Sequence, residues 1–269
     1  LPYLIDSRYP VTAEGTLHTS DPALDKVYDV CKWTLSICRQ SLHLDSPSHQ
    51  ELLACTGDYL VETNMTLFTF GDMRLAAQDI RRTADWLMEN DGRMFHTSYS
   101  LMWVQWIRKV YTFTGDRALI RYCKDALDTL LTRFHGYIGK NGILDNAPDY
   151  MFVDWLEMEG YNMHHPPKSL GQTVLCAFYY KALTDACALC KVMEREPDGA
   201  WWTAKRASWA SRMASFRPAF HRALYDAEAG LYIDGLSDED EGDGWSRPKN
   251  VPLRHFPRHA NVLAAMYGL

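Results

Sequence analysis

No run of apolar residues in this chain is longer than seven positions, far short of the roughly 20 that a bilayer-spanning helix needs. Nor does a basic stretch followed by an apolar one open it, so no signal peptide is expected. Positive charge is not in excess. The 28 Lys and Arg stand against 34 Asp and Glu, a net charge of −6, with no basic block to follow nucleic-acid phosphates. Neither a membrane nor a nucleic acid is therefore an expected partner. Cysteines number only seven, at 31, 38, 55, 123, 176, 187 and 190. An odd count argues against a complete disulfide framework and favours a reducing, cytoplasmic compartment. Cys187 and Cys190 have redox or zinc-site spacing, but they fall in a predicted helix with no second such pair, so they read as core thiols. The one charge run, Asp238 to Gly244, lacks EF-hand spacing and reads as a solvated loop. No metal or other cofactor is expected.

What the chain does have is apolar material. Hydrophobic residues make up 47% and aromatics 13%, which excludes disorder and supplies the core of one large domain or two small ones. Almost every periodic segment repeats at the helical period. Asp21-Pro22 is a cap followed by a first-turn proline and opens a helix running to about Gln40, with Leu24, Val27, Tyr28, Cys31, Leu35 and Cys38 as its apolar stripe. Further helices are expected over Gly57–Phe70, from Gly71-Asp72 through Leu87, Tyr99–Phe113, Arg117–Phe134, Ser169–Val192, Gly199–Leu224 and from His259 onward. Phe70-Gly71-Asp72-x-Arg and Thr114-Gly115-Asp116-Arg lie 44 residues apart, each ending one helix and capping the next. A repeat of two helices per ~40–47 residues means stacked helical hairpins. The fold expected is all-α, an inner ring of apolar helices wrapped by an amphipathic outer one. Residues 1–20 serve as an entry linker and 21–269 as the helical domain. Loops at Leu42–Thr56, Asp145–Lys168 and Leu231–Pro257 break the period and are candidates to carry a site.

The first of these loops is chemically the least ordinary. Asp45, Glu51 and Asp58 lie within fourteen residues, mixed with Pro47, His49, Cys55 and Gly57, and no Lys or Arg accompanies them. Carboxylates gathered in a pocket push one another's pKa values apart, so that one stays protonated as a general acid while the others stay ionised. Helix capping by Asp45 and Asp58 is the plainer alternative. The second loop sets Asp149, Asp154 and Glu157 among Phe152, Trp155 and Tyr161, the mixture of rings and charged oxygens that binds sugars. His164 and His165 in the same loop read as hydrogen-bonded loop histidines rather than metal ligands.

The 45–58 segment resembles the signature of glycoside hydrolase family 78, the bacterial α-L-rhamnosidases. That pattern runs roughly Asp-x-Pro-x-Arg-x-Glu and ends in Trp-x-Gly-Asp; Asp45, Pro47, Glu51, Gly57 and Asp58 stand at matching positions. Gly15-Thr16-Leu17 with Ser20-Asp21-Pro22 resembles the family's entry into its first helix. Ser100–Trp103 through Tyr111–Asp116, Phe152–Trp155 and Ala260–Leu269 resemble later segments in the same order. Two positions depart: His49 replaces the usual arginine, and Cys55 replaces the usual tryptophan.

The resemblance implies an (α/α)6 toroid, of which this chain carries about eight helices of twelve, its recognisable pattern ending at Leu269. It implies an inverting glycosidase acting on terminal rhamnosyl or related deoxy-sugar units. Glu51 would be the general acid, and a glutamate base would lie in a segment beyond Leu269. Asp45, His49, Cys55, Asp58, Trp103, Asp154 and Trp155 would form the substrate-binding set, with Trp103 and Trp155 as stacking surfaces. A catalytically lapsed sugar-binding protein and a purely structural scaffold are the alternatives. A chain lacking four helices is further expected to be inactive by itself and to expose inner-face residues such as Leu35, Trp103 and Leu175, which promotes association.

Overall fold

The computed structural model describes residues 3, 7–12, 15–46, 55–145, 147, 152–153, 157–158, 161–162, 172–236 and 255–269. Among them the chain forms nine α-helices: α1 (Pro22–Ile37), α2 (Thr56–Thr69), α3 (Arg74–Glu89), α4 (Thr97–Thr114), α5 (Arg117–Tyr122), α6 (Lys124–His135), α7 (Gln172–Met193), α8 (Gly199–Leu224) and α9 (Arg258–Tyr267). Two-residue antiparallel pairs, β1 (Glu157–Met158) with β2 (Tyr161–Asn162) and β3 (Tyr225–Asp226) with β4 (Leu231–Tyr232), are the only strands described. The helix expected over Arg117–Phe134 is interrupted at Cys123, which caps α5 and opens α6; this break raises the count from eight to nine.

Local chemistry sets the helix ends. Asp21 accepts the Ala23 N–H at 2.9 Å, and Pro22 fills the first turn where its missing N–H costs nothing. Gly115 ends α4 at φ 66°, a left-handed conformation that favours glycine, and the Asp116 carboxylate then accepts the Leu119 N–H at 3.0 Å to start α5. Gly71 and Asp72 repeat the device between α2 and α3, with φ 67° at the glycine and the Arg74 N–H on Asp72 at 2.8 Å.

Helices α2, α4, α7 and α9 pack in sequence as an inner row, with α1, α3, α5–α6 and α8 outside them. α1 with α2, α3 with α4, and α6 with α7 each pack as an outer helix and the inner helix that follows, while α9 packs on α7. The inner helices share one direction. Their N-terminal ends are tied together: the Thr56 hydroxyl donates to Tyr99 O at 2.6 Å, Thr173 N–H to Asp234 O at 3.0 Å, and Asp234 N–H to His255 O at 2.9 Å. Helix α7 has the length and apolar character of a membrane span, but its buried residues point all round because α4, α6, α8 and α9 surround it.

Leu35, Trp103 and Leu175, expected to face water, are instead 3%, 0% and 1% exposed. Each packs against an adjacent helix already present. Exposed apolar side chains are found on α1 (Val27, Val30, Trp33), on α2 and α9 at the two ends of the inner row (Val61, Met65, Phe68; Val262, Met266), and on other elements such as α3 (Trp86, Met88) and α4 (Phe113). No disulfide joins any of the seven cysteines, and burial pushes the Cys187 and Cys190 thiols up to about 11 and about 12, as core thiols rather than reactive ones.

Candidate functional site

The 41–46 segment leads from α1 toward the acidic loop and is fastened to α3 at several points. Gln78 and Arg82 both donate to Ser41 O, at 2.7 and 2.9 Å. Asp79, fully buried on the same helix, accepts the His43 backbone N–H at 2.8 Å and lies 2.9 Å from His43 Nδ1. The imidazole stacks 5.8 Å from Tyr59 and meets Trp106 edge-on at the same distance. Burial lowers the His43 pKa, and the hydrogen bond to Asp79 opposes that shift only in part. His43 is therefore a neutral ring with its Nδ1–H on Asp79, and it fixes the backbone two residues before Asp45. No feature of the sequence singled out this pair. The partners are 36 residues apart, and only the packing of α3 beneath the loop brings them together.

Helix α2 begins immediately after the acidic loop and is held close to α4. A Cβ on Gly57 would approach the Tyr99 ring to 2.8 Å and Met102 Sδ to 3.0 Å, so glycine there permits this approach. Six residues further along α2, Trp106 Nε1–H donates to the Thr63 hydroxyl at 2.7 Å. Asp58 lies in the first turn, where the positive end of the helix dipole favours an ionised carboxylate.

Asp45 and Asp58 come together on one cavity of about 340 Å³, in the lower part of the roughly 300–1,000 Å³ range of ligand pockets. Its other walls are Val30, Cys31, Thr34, Leu35 and Cys38 from α1, and Val61, Glu62 and Met65 from α2. Glu62 was not expected from the sequence. It follows Asp58 by four positions and so shares its helix face, a spacing from which it was recoverable. Only 7% of Glu62 is exposed, and its Oε2 has no hydrogen-bond partner. Burial first, then the nearby Asp58 charge, pushes its pKa up to about 9, against an opposing pull from Arg39. The Cys38 thiol, similarly buried and beside Glu62 and Asp45, is pushed up to about 11. Larger cavities of about 680 and 630 Å³ run along residues 8–12, between that segment and the 70–74 turn or α1, and contain none of these acids.

The remaining expected site residues divide into two groups. Glu51, His49, Asp154 and Trp155 lie outside the described residues, as do His164, His165 and the 238–244 acidic run. Phe152, two residues before Asp154, is described. It is buried with its ring 4.2 Å from His96 and 5.2 Å from Tyr99, and its carbonyl accepts the Ser98 hydroxyl, so the second loop reaches the N-terminal end of α4. Trp103 is corrected. It is fully buried and its Nε1–H donates to Ile80 O at 3.1 Å, so its ring packs toward α3 and offers no stacking face to a ligand. Cys55 caps α2 from within the hydrophobic core at 5% exposure and does not line the cavity; a thiol there fills core space rather than forming a wall. Among the described residues no group of His, Cys, Asp and Glu is arranged to hold a metal ion.

Residues 12–241 match the family model described as the bacterial alpha-L-rhamnosidase 6 hairpin glycosidase domain. No curated protein matches the chain. Among solved structures it is similar to the family 78 rhamnosidase of Bacillus sp. GL1, with a TM-score of 0.74, 20% identity, and coverage of 97% of this chain and 26% of that one. It is also similar to a rhamnosidase from Klebsiella oxytoca with rhamnose bound, with a TM-score of 0.59, 21% identity, and coverage of 84% and 43%. An α-L-rhamnosidase from Dictyoglomus thermophilum gives a TM-score of 0.64 at 14% identity, covering 84% and 25%. The chain thus spans between a quarter and less than half of the length of these proteins.

Proposed function

Because the chain belongs to the family of bacterial α-L-rhamnosidase six-hairpin glycosidase domains, we propose that the protein is an inverting glycoside hydrolase that releases terminal α-L-rhamnosyl or related deoxy-sugar units. Glu51 is the general acid that protonates the leaving oxygen. A second carboxyl, from a segment downstream of Leu269, activates water on the opposite face of the sugar at about 6.5–9.5 Å from the first. Asp45 and Asp58 accept hydrogen bonds from sugar hydroxyls, and their negative charge favours the protonated form of the acid. The observation that carries this reading is the shared cavity of Asp45 and Asp58, which flank Glu51 in the chain and meet between α1 and the first turn of α2. A solvated loop would have dispersed those two carboxylates.

In the intact protein, Glu51→Gln is expected to lower turnover of an aryl α-L-rhamnoside by about 10²–10⁴-fold, the usual worth of a general acid, with an unchanged circular dichroism spectrum. Nuclear magnetic resonance of the first-formed sugar anomer checks inversion. Near-normal turnover by Glu51→Gln refutes the assignment. Rhamnose binding by a wild type that hydrolyses no glycoside would favour the lapsed alternative, which the His49 and Cys55 departures support.

A further inference from the structure

The cavity holding Asp45 and Asp58 is well provided with acceptors and poor in donors. Among its described lining residues there is no Lys, Arg or His. The Thr34 hydroxyl is already committed to Val30 O at 3.0 Å, and the thiols of Cys31 and Cys38 are weak donors. As carboxylates, Asp45 and Asp58 offer acceptors. A sugar presents oxygens that need donors as well as hydroxyls that need acceptors, and two carboxylates alone satisfy half of it. Glu62 is the group that remains. It is 93% removed from solvent, lines the cavity, and carries an oxygen without a partner. A buried carboxyl oxygen left unpaired costs roughly 1–3 kcal/mol, so a ligand that pairs it recovers that loss on binding.

We propose that Glu62 is a ligand-binding residue of this cavity, its carboxyl hydrogen donated to an oxygen of the bound sugar while Asp45 and Asp58 accept from neighbouring hydroxyls. The assignment rests on the glycosidase reading above and names a contact within it. Val30, Leu35, Val61 and Met65 supply an apolar wall beside the three acids, suited to the C–H face and methyl group of a deoxy sugar. The charged and titratable groups around Glu62 are Asp58 on its own helix, Asp45 from the loop, Cys38 and Arg39 from the end of α1, and Asp79 from α3. Asp58, Asp45 and Asp79 favour keeping the hydrogen on Glu62, Arg39 opposes them, and the Cys38 thiol, itself pushed up to about 11, stays uncharged. A cation bound among the same acids would instead require Glu62 to ionise.

Glutamine copies the shape and the donor of a protonated glutamate but cannot ionise, and it thereby separates the two roles. In the intact protein, L-rhamnose affinity is measured by titration calorimetry from pH 6 to pH 10 for the wild type, E62Q and E62L. The wild type is expected to lose at least tenfold in affinity as the pH passes about 9. E62Q loses at most threefold at pH 7 and shows no alkaline decline, whereas E62L binds at least tenfold more weakly throughout. The comparison of wild type with E62Q needs only a glutamine of equal volume, so it stands even if E62L folds poorly. E62Q binding as weakly as E62L overturns the donor role, because an ionised carboxylate is then what the ligand needs. E62L binding like wild type overturns the contact while leaving the glycosidase reading intact. Absence of rhamnose binding in the wild type overturns both.

Discussion

Replacing Glu62 by glutamine should stabilise this domain, and by an amount that depends on pH in a defined direction. In the unfolded chain the carboxyl titrates near its ordinary 4.5, whereas in the fold it is pushed up to about 9. A carboxyl whose folded pKa is raised favours folding least where only the unfolded state can ionise. Its penalty is absent below pH ~4.5 and grows as the pH rises toward 9. At pH 7 folding must hold a proton that the unfolded chain has released, which costs about 3 kcal/mol at 1.36 kcal/mol per pH unit. Below pH 5 the same penalty is under about 1 kcal/mol. Glutamine fills the same space and carries no such cost. Glu62→Gln is therefore expected to raise the melting temperature by roughly 6–12 °C at pH 7, at about 2–4 °C per kcal/mol for a domain of this size, and by only 1–3 °C at pH 5. Differential scanning calorimetry of the intact protein at both pH values measures the pair. A variant less stable than wild type at pH 7, or a difference that does not change with pH, would show that Glu62 is ionised in the fold, and the reasoning would fail.

Two further predictions concern the frame around the cavity. Asp79→Leu leaves the His43 backbone N–H and imidazole N–H buried without their acceptor, at about 1–3 kcal/mol each. It is expected to lower the melting temperature by at least 5 °C and to raise KM on an aryl rhamnoside as the backbone before Asp45 loosens; an unchanged melting temperature would contradict the anchoring role. Trp103→Phe removes the hydrogen bond to Ile80 O and opens a void in the core, so a loss of about 1–3 kcal/mol is expected with KM moving less than twofold. A large rise in KM without loss of stability would return Trp103 to the ligand.

The architecture was legible in the chain because it is written locally. Apolar stripes at the helical period, the Asp21-Pro22 start and the two Gly-Asp stops 44 residues apart are short-range signals, each a matter of backbone geometry within a few residues. They placed the helices to within a few residues, apart from the break at Cys123, where no glycine or proline marks the interruption. The gathering of carboxylates in the 45–58 segment was also visible, since it needed only composition. Tertiary packing alone decided which side chains face the cavity and which face the core. Trp103 and Glu62 show this from opposite directions. An aromatic residue suited to stacking on a sugar was drawn into the interface with α3, because burying a ring releases more water than exposing it to an occasional ligand. A glutamate that would ordinarily be solvated was placed inside, because α1 and α2 meet across its face of the helix. The pairing of His43 with Asp79 likewise depends on contacts across 36 residues. Periodicity specifies which face of a helix is apolar, but a side chain's pKa and partner depend on what the neighbouring helix brings to that face.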